Sequence, residues 1–204
     1  YLKPGDLLVV NESKVFKARL KTEEGIELFL LRPNGAYWIA LAKPGRKLQP
    51  DAVISFADGA TCRVVDKQTD GTVMLDFGRS AQEIFAWADH VGEVPTPPYV
   101  KRVESQKFKV ESQYQTVYAK NVGSVAAPTA GFHFTPELIE KLKADGIRFA
   151  KVTLHVGLGT FRPMKTETVE EHGMHEEWID VPNETLHAIE ETRRSGGRVI
   201  AVGK

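Results

Sequence analysis

The sequence predicts an α/β fold with a β insert: a discontinuous α/β domain, residues 1–14 and 95–204, interrupted by a small antiparallel β-barrel at 15–94. Three observations predict it. Residues 15–77 read as short strands split by turn residues, the spacing of a small barrel or sandwich. From Thr135 onward helical and strand-like segments alternate, the pattern of an α/β layer. The opening Gly5-Asp6-Leu-Leu-Val-Val-Asn11 is strand-like and stands apart from the barrel, so it is free to join the second sheet.

Within the insert, the expected strands are Val15–Leu20, Ile26–Leu31, Tyr37–Ala42, Val53–Phe56, Thr61–Val65 and Thr72–Phe77. Gly25, Pro33-Asn34-Gly35, Pro44-Gly45, Asp58-Gly59 and Asp70-Gly71 break them, residues whose backbone or side chain favours turns. In the last strand Val73, Leu75 and Phe77 alternate with Thr72, Met74 and Asp76, as a half-buried strand requires. A helix is expected over Ala81–His90, followed by the turn-rich Pro95-Thr-Pro-Pro98.

In the second region Thr135 can cap a helix that opens on Pro136, with Leu138, Ile139 and Leu142 on one face and Gly146 at its end. Strands follow at Phe149–His155 and Trp178–Val181. A helix is expected over Glu184–Arg194, stopped by Ser195-Gly-Gly197, and then a buried strand at Arg198–Val202.

Composition constrains function weakly. The 204 residues carry 27 Lys plus Arg against 27 Asp plus Glu, so the net charge is zero and no global basic character announces a nucleic-acid ligand. Local patches can still meet phosphates. One is Tyr99–Lys120, where Lys101, Arg102, Lys107, Lys109 and Lys120 face only Glu104 and Glu111, with Tyr99, Phe108, Tyr114 and Tyr118 interleaved. Composition alone favours a solvated connector there. No run approaches the roughly 20 apolar residues of a membrane span, and no signal segment opens the chain. A single cysteine, Cys62, excludes a disulfide within the chain and fits a reducing compartment. Asn11-Glu-Ser13 and Asn183-Glu-Thr185 have the form of glycosylation triplets and read as chance.

Three segments could carry chemistry. Gly123-Ser-Val-Ala-Ala-Pro-Thr-Ala-Gly-Phe-His-Phe134 is too rich in small residues for a conventional strand or helix. It reads either as a backbone cradle for a polar ligand, with Thr129, or as a tightly packed loop. In Thr153-Leu-His-Val-Gly-Leu-Gly-Thr-Phe161, Gly157-x-Gly159 lacks the third glycine of a dinucleotide fingerprint, since Arg162 stands there. His155 lies where a strand ends, the place where α/β sheets hold ligands, although a histidine satisfied in the core fits the composition as well. His172-Gly-Met-His175-Glu176-Glu177 has the residue types of a zinc site, but Gly173 breaks helical spacing and no further ligand cluster lies nearby. The same imidazoles titrate near neutral pH and suit acid or base work.

Taken in order, Gly5-Asp-Leu-Leu-Val-Val-Asn11, Ala18-Arg-Leu20, Pro97-Pro-Tyr99, Tyr114-Gln-Thr-Val-Tyr-Ala119 and these three segments closely resemble the S-adenosylmethionine:tRNA ribosyltransferase-isomerases of queuosine synthesis, across nearly the whole chain. The resemblance implies a Greek-key barrel beside an α/β domain. It implies an enzyme that converts 7-aminomethyl-7-deazaguanine at the tRNA wobble position to epoxyqueuosine, releasing adenine and methionine. S-adenosylmethionine is then a consumed substrate, and no metal or permanently bound cofactor is expected. The partners implied are S-adenosylmethionine and the tRNA anticodon loop, with no membrane, for a cytoplasmic monomer. Members extend further at both ends, with a Thr-Thr-Ser-Val-Arg-like continuation after Gly203 and a longer turn between Leu20 and Gly25. The segment Val103–Gln113 follows no family pattern.

That reaction needs a base for the proton beside the sulfonium, an acid or hydrogen-bond donor for departing adenine, a neutral amine nucleophile, and exclusion of water. The candidates for proton transfer are His133, His155, His172 and His175, with Glu176 as partner. Thr129, Gly131, Gly157, Gly159 and Thr160 are candidates to line the S-adenosylmethionine pocket, and Lys101, Arg102 and Tyr114 to meet tRNA. His133 and His155 are expected to share one cleft.

Overall fold

A computed structural model of the chain describes residues 1–95, 114–157, 159, 168, 170 and 176–203, apart from the Lys47 side chain. By internal contact it divides into two units, Phe16–Pro97 and the discontinuous pair Tyr1–Val15 with Pro98–Lys204.

In the unit Phe16–Pro97, six strands form one antiparallel sheet. They are β3 (Arg19–Lys21), β4 (Glu27–Asn34), β5 (Tyr37–Lys43), β6 (Val53–Ser55), β7 (Thr61–Lys67) and β8 (Val73–Asp76), in the spatial order 3-4-5-8-7-6. The sheet curls until its edges approach: the Glu23 amide, just past β3, donates to the Ser55 carbonyl of β6 at 3.0 Å. Alternation along the strands aims Leu20, Leu28, Leu30, Trp38, Val64 and Leu75 inward, each 1% exposed or less. Helix α1 (Ala81–Val91) starts from a capping box, with the Ser80 hydroxyl accepting from the Glu83 amide and the Glu83 carboxylate accepting in return. It sets Phe85 edge-on to Phe16 and Trp38, and Trp87 against Phe56 and Phe77.

Two details differ from expectation. Val15–Leu20 is not one strand: β2 (Ser13–Val15) belongs to the other unit, and pairing resumes only at Arg19. Pro33 does not end β4, because a register shift between Leu30 and Arg32 lets pairing continue to Asn34.

In the unit of Tyr1–Val15 with Pro98–Lys204, the remaining strands are β1 (Leu7–Asn11), β9 (Asn121–Ser124), β10 (Arg148–His155), β11 (Trp178–Asp180) and β12 (Val199–Ala201). The main sheet has the order β11-β10-β1-β12, with β1 parallel to both neighbours and β11 antiparallel on the edge. β2 and β9 form a separate parallel pair. Helix α2 (Pro136–Ala144) is capped by Thr135, whose side chain accepts from the Leu138 amide, and Gly146 follows at φ +79°. Helix α3 (Asn183–Arg194) lies against β10 through two buried threonines seven residues apart: the Thr185 hydroxyl donates to the Lys151 carbonyl, and Thr192 accepts from the Arg148 guanidinium, both at 2.6 Å. The strand expected to be buried at the end, β12, is only half-buried as an edge, and Leu138 is 39% exposed on α2. The buried carboxylate of Asp6 receives the Arg198 guanidinium at 2.6 Å, tying the start of β1 to the start of β12.

Candidate active site

β1 and β10 run in register, Leu7 opposite Arg148 and Asn11 opposite Val152, so both release the chain at the same edge of the sheet. That carboxyl-terminal edge is where α/β sheets place ligands. Where β1 stops, Asn11 continues the ladder with its side chain. Its Nδ2 donates to the Leu154 carbonyl at 2.8 Å, and its Oδ1 accepts from the Leu154 amide at 3.0 Å and the Ser13 amide at 3.0 Å. A buried side-chain amide thereby satisfies backbone groups that a longer strand would have paired. It also fixes the turn that carries Ser13 over the end of β10.

His155, the last residue of β10, is held on three sides. The Ser13 Oγ lies 2.7 Å from its Nδ1. The indole of Trp178 stacks on its ring at 4.9 Å between centroids and 20° between planes. Gly123 of β9 supplies the third side through its lack of a side chain, for a Cβ there would come within 2.6 Å of Cε1 and 2.7 Å of Cδ2. Burial pushes the His155 imidazolium below its ordinary pKa and favours the neutral ring.

A second polar chain runs beside it. Asn121 Nδ2 reaches Thr153 Oγ1 at 2.7 Å and Glu12 Oε1 at 3.1 Å, while the other Glu12 oxygen forms an ion pair with Lys151 at 3.1 Å. The Ser124 hydroxyl accepts from the Val156 amide at 3.0 Å and donates to the Ala126 carbonyl at 2.7 Å. Val125 then donates to the Val156 carbonyl, fastening the small-residue loop to the strand end. Beyond it, the Gly157 amide donates to Glu177.

The loop continues as a 3-10 turn over Thr129–His133. Phe134 packs edge-on against Phe149, which lies six residues before His155, roughly 20 Å along the strand. The loop therefore meets β10 at Phe149 and just past its end at Val156, and His133, adjacent to Phe134, is exposed. Gly131 is buried with the Tyr118 hydroxyl where its Cβ would be. Among the described residues that hydroxyl and the Thr116 hydroxyl, both buried, have no hydrogen-bond partner. An open depression lined by Tyr1, Leu2, Pro4, Leu142, Asp145 and Ile147 lies at the opposite, amino-terminal end of β1 and β10.

The whole length of the chain, residues 1–204, matches the family model described as "Queuosine biosynthesis protein". The chain belongs to that family. Among curated relatives it is 48% identical, over 208 residues, to the S-adenosylmethionine:tRNA ribosyltransferase-isomerase of Thermotoga maritima, covering all of this chain and 60% of that one. It is 46% identical to the enzyme of the same name from Acaryochloris marina, covering 99% of this chain and 58% of the relative. The chain thus spans about three-fifths of the length of these relatives. A crystal structure of S-adenosylmethionine tRNA ribosyltransferase from Thermotoga maritima is 30% identical over 98% of this chain and 52% of that one, with a TM-score of 0.34, too low to speak for the fold.

In this queuosine-family chain the described residues expected at the site occupy the end of β10, the 3-10 turn and the approach to β11. His155 and Gly157 lie at the strand end, with Glu176 exposed just before β11. Thr129 is exposed and Gly131 buried in the 3-10 turn, and Gly159 is exposed. Tyr114, expected to meet tRNA, is 8% exposed with its ring edge-on to Phe132. Lys101, Arg102, Thr160, His172 and His175 lie outside the described residues. Among the described residues no three His, Cys, Asp or Glu side chains gather as a metal site, and no helix is long and apolar enough to cross a membrane.

Sequence reasoning missed Asn11, Glu12, Ser13, Asn121, Ser124 and Trp178. The signal for the first three was present: three polar residues directly after an apolar parallel strand occupy its carboxyl end. Read as a chance glycosylation triplet, Asn11-Glu-Ser13 in fact supplies three side chains to the network around His155.

Proposed function

We propose that the protein containing this chain transfers and isomerises the ribosyl group of S-adenosylmethionine onto 7-aminomethyl-7-deazaguanine at the tRNA wobble position, giving epoxyqueuosine and releasing adenine and methionine. The observation that carries this reading is a half-buried histidine, its neutral form favoured by burial, fixed at the carboxyl end of a central parallel strand in a chain of the queuosine family. His155 is the group we place against substrate. The proton beside the sulfonium falls to one of the candidates His133, His155, His172, His175 or Glu176. Thr129, Gly131, Gly157, Gly159 and Thr160 line the S-adenosylmethionine pocket in this reading, and S-adenosylmethionine is consumed without a resident cofactor or metal. The curled six-stranded sheet is read as a Greek-key barrel, and the enzyme as a cytoplasmic monomer.

The stretch Tyr99–Lys120 is proposed to meet the anticodon loop, through Lys101 and Arg102 on phosphates. Replacing both cations with Ala should weaken tRNA binding and reduce its salt dependence by roughly one unit of slope per lost phosphate contact, with S-adenosylmethionine affinity unchanged. Unaltered tRNA affinity at low salt removes this segment from the interface. The reaction itself is tested by incubating full-length protein with S-adenosylmethionine and the aminomethyl-bearing tRNA. Adenine and methionine should appear together, and only with that tRNA. Formation of S-adenosylhomocysteine instead would mark a methyltransferase and defeat the proposal.

A further inference from the structure

Ser13 is fully buried, and among the described residues its hydroxyl has one hydrogen-bond partner, His155 Nδ1 at 2.7 Å. A buried hydroxyl with a single neighbour either spends its proton there or leaves it unpaired, which buried polar groups avoid. The Ser13 O–H therefore donates, and Nδ1 accepts. A neutral imidazole that accepts at Nδ1 carries its proton on Nε2. Among the described residues that Nε2 has no hydrogen-bond partner, and it is not one of the buried atoms lacking one.

We infer that Ser13 is a positioning residue that fixes His155 as the neutral Nε2–H tautomer, so that His155 offers bound substrate a hydrogen-bond donor and not a base. The inference rests on the reading above that His155 faces substrate. With the Nδ1 lone pair held by Ser13 and Nε2 already protonated, the ring has no free lone pair for the proton beside a sulfonium. It can donate to an acceptor such as a purine ring nitrogen. Burial supports the neutral form. Charged groups lie on the elements packed around the ring (Glu12, Lys14, Lys151, Glu176, Glu177 and Asp180), yet burial alone accounts for the shift.

The test is the nitrogen chemical shifts of the His155 imidazole in full-length protein labelled with 15N histidine, read without substrate. The unprotonated shift should fall on Nδ1 and the protonated one on Nε2 near neutral pH. Ser13→Ala should give a mixture of tautomers and raise the His155 pKa by about half to one unit, the size expected for losing one hydrogen bond to the neutral form. Ser13→Thr, which keeps the hydroxyl, should retain the parent pattern. A proton on Nδ1 in the unmodified protein overturns the inference, whatever the variants do. Separately, turnover by His155→Ala within about threefold of the parent would overturn the donor role, while the shifts would still report whether Ser13 sets the tautomer.

Discussion

Gly123→Ala is the sharpest probe of how His155 is held. The new methyl would lie 2.6 Å from Cε1 and 2.7 Å from Cδ2, about an ångström inside ordinary carbon–carbon contact, so the ring must move. It has little room, because Trp178 stacks on it and Ser13 holds its Nδ1. Overpacking of this kind costs about 1–3 kcal/mol, and detaching the ring from a buried serine adds about 1 kcal/mol. The Gly123 φ of +155° contributes a further backbone cost for alanine. Urea unfolding of Gly123→Ala, His155→Ala and the double variant separates these effects. The backbone cost is common to both backgrounds, whereas the ring contact disappears with the ring. The expected coupling is therefore about 1–3 kcal/mol, with the glycine substitution milder in the His155→Ala background. An equal cost in both backgrounds would refute the placement of Gly123 over His155.

Other expectations follow from single contacts. His155→Ala should lower turnover at least about 100-fold, the lower range of an acid, base or donor contribution; His155→Gln, which can still donate, should recover most of it, and failure of Gln to recover activity would point to proton transfer by the ring. Tyr118→Phe should raise stability by about 1 kcal/mol in thermal or urea unfolding, because it removes a buried hydroxyl that has no partner among the described residues; a clear loss of stability would show that the hydroxyl is satisfied. The Arg198 guanidinium, then the Lys3 amide, hold the Asp6 carboxyl well below the usual carboxylate range. Its charged form is favoured in the folded state, so this stabilisation is present above about pH 4 and is lost as pH falls towards the folded pKa. Asp6→Asn should flatten the acid side of a stability–pH profile, and an unchanged profile would contradict the pairing.

Local signals were the legible part of the fold. Thr135, Pro136 and Gly146 act within one helix, so their cap, first turn and left-handed stop could be read from spacing alone. The breakers of the six-stranded sheet are equally local. What spacing could not show was partnership across the chain. Ser13 reaches His155 over 142 residues, and Asn11 reaches Leu154 over 143. Nothing near Asn11 in sequence reveals that its amide completes another strand's ladder. The same limit explains Val15–Leu20: its apolar run suits one strand, but Ser13–Val15 pairs with Asn121–Ser124 in a different unit, and the chain must break between the two sheets. The place of His155 at a strand end was legible because the run Phe149–His155 gives way to Gly157-Leu-Gly159. The hydroxyl, indole and missing side chain that hold it come from three other strands.

The fate of the ribosyl carbons tests the central claim most directly. S-adenosylmethionine labelled with carbon-13 throughout its ribosyl group, incubated with full-length protein and the aminomethyl-bearing tRNA, should deliver all its labelled carbons to the wobble nucleoside. Mass spectrometry of the digested tRNA would show that gain alongside unlabelled adenine and methionine. A wobble nucleoside without label, or one that instead acquires label supplied in the S-adenosylmethionine methyl group, would contradict the account.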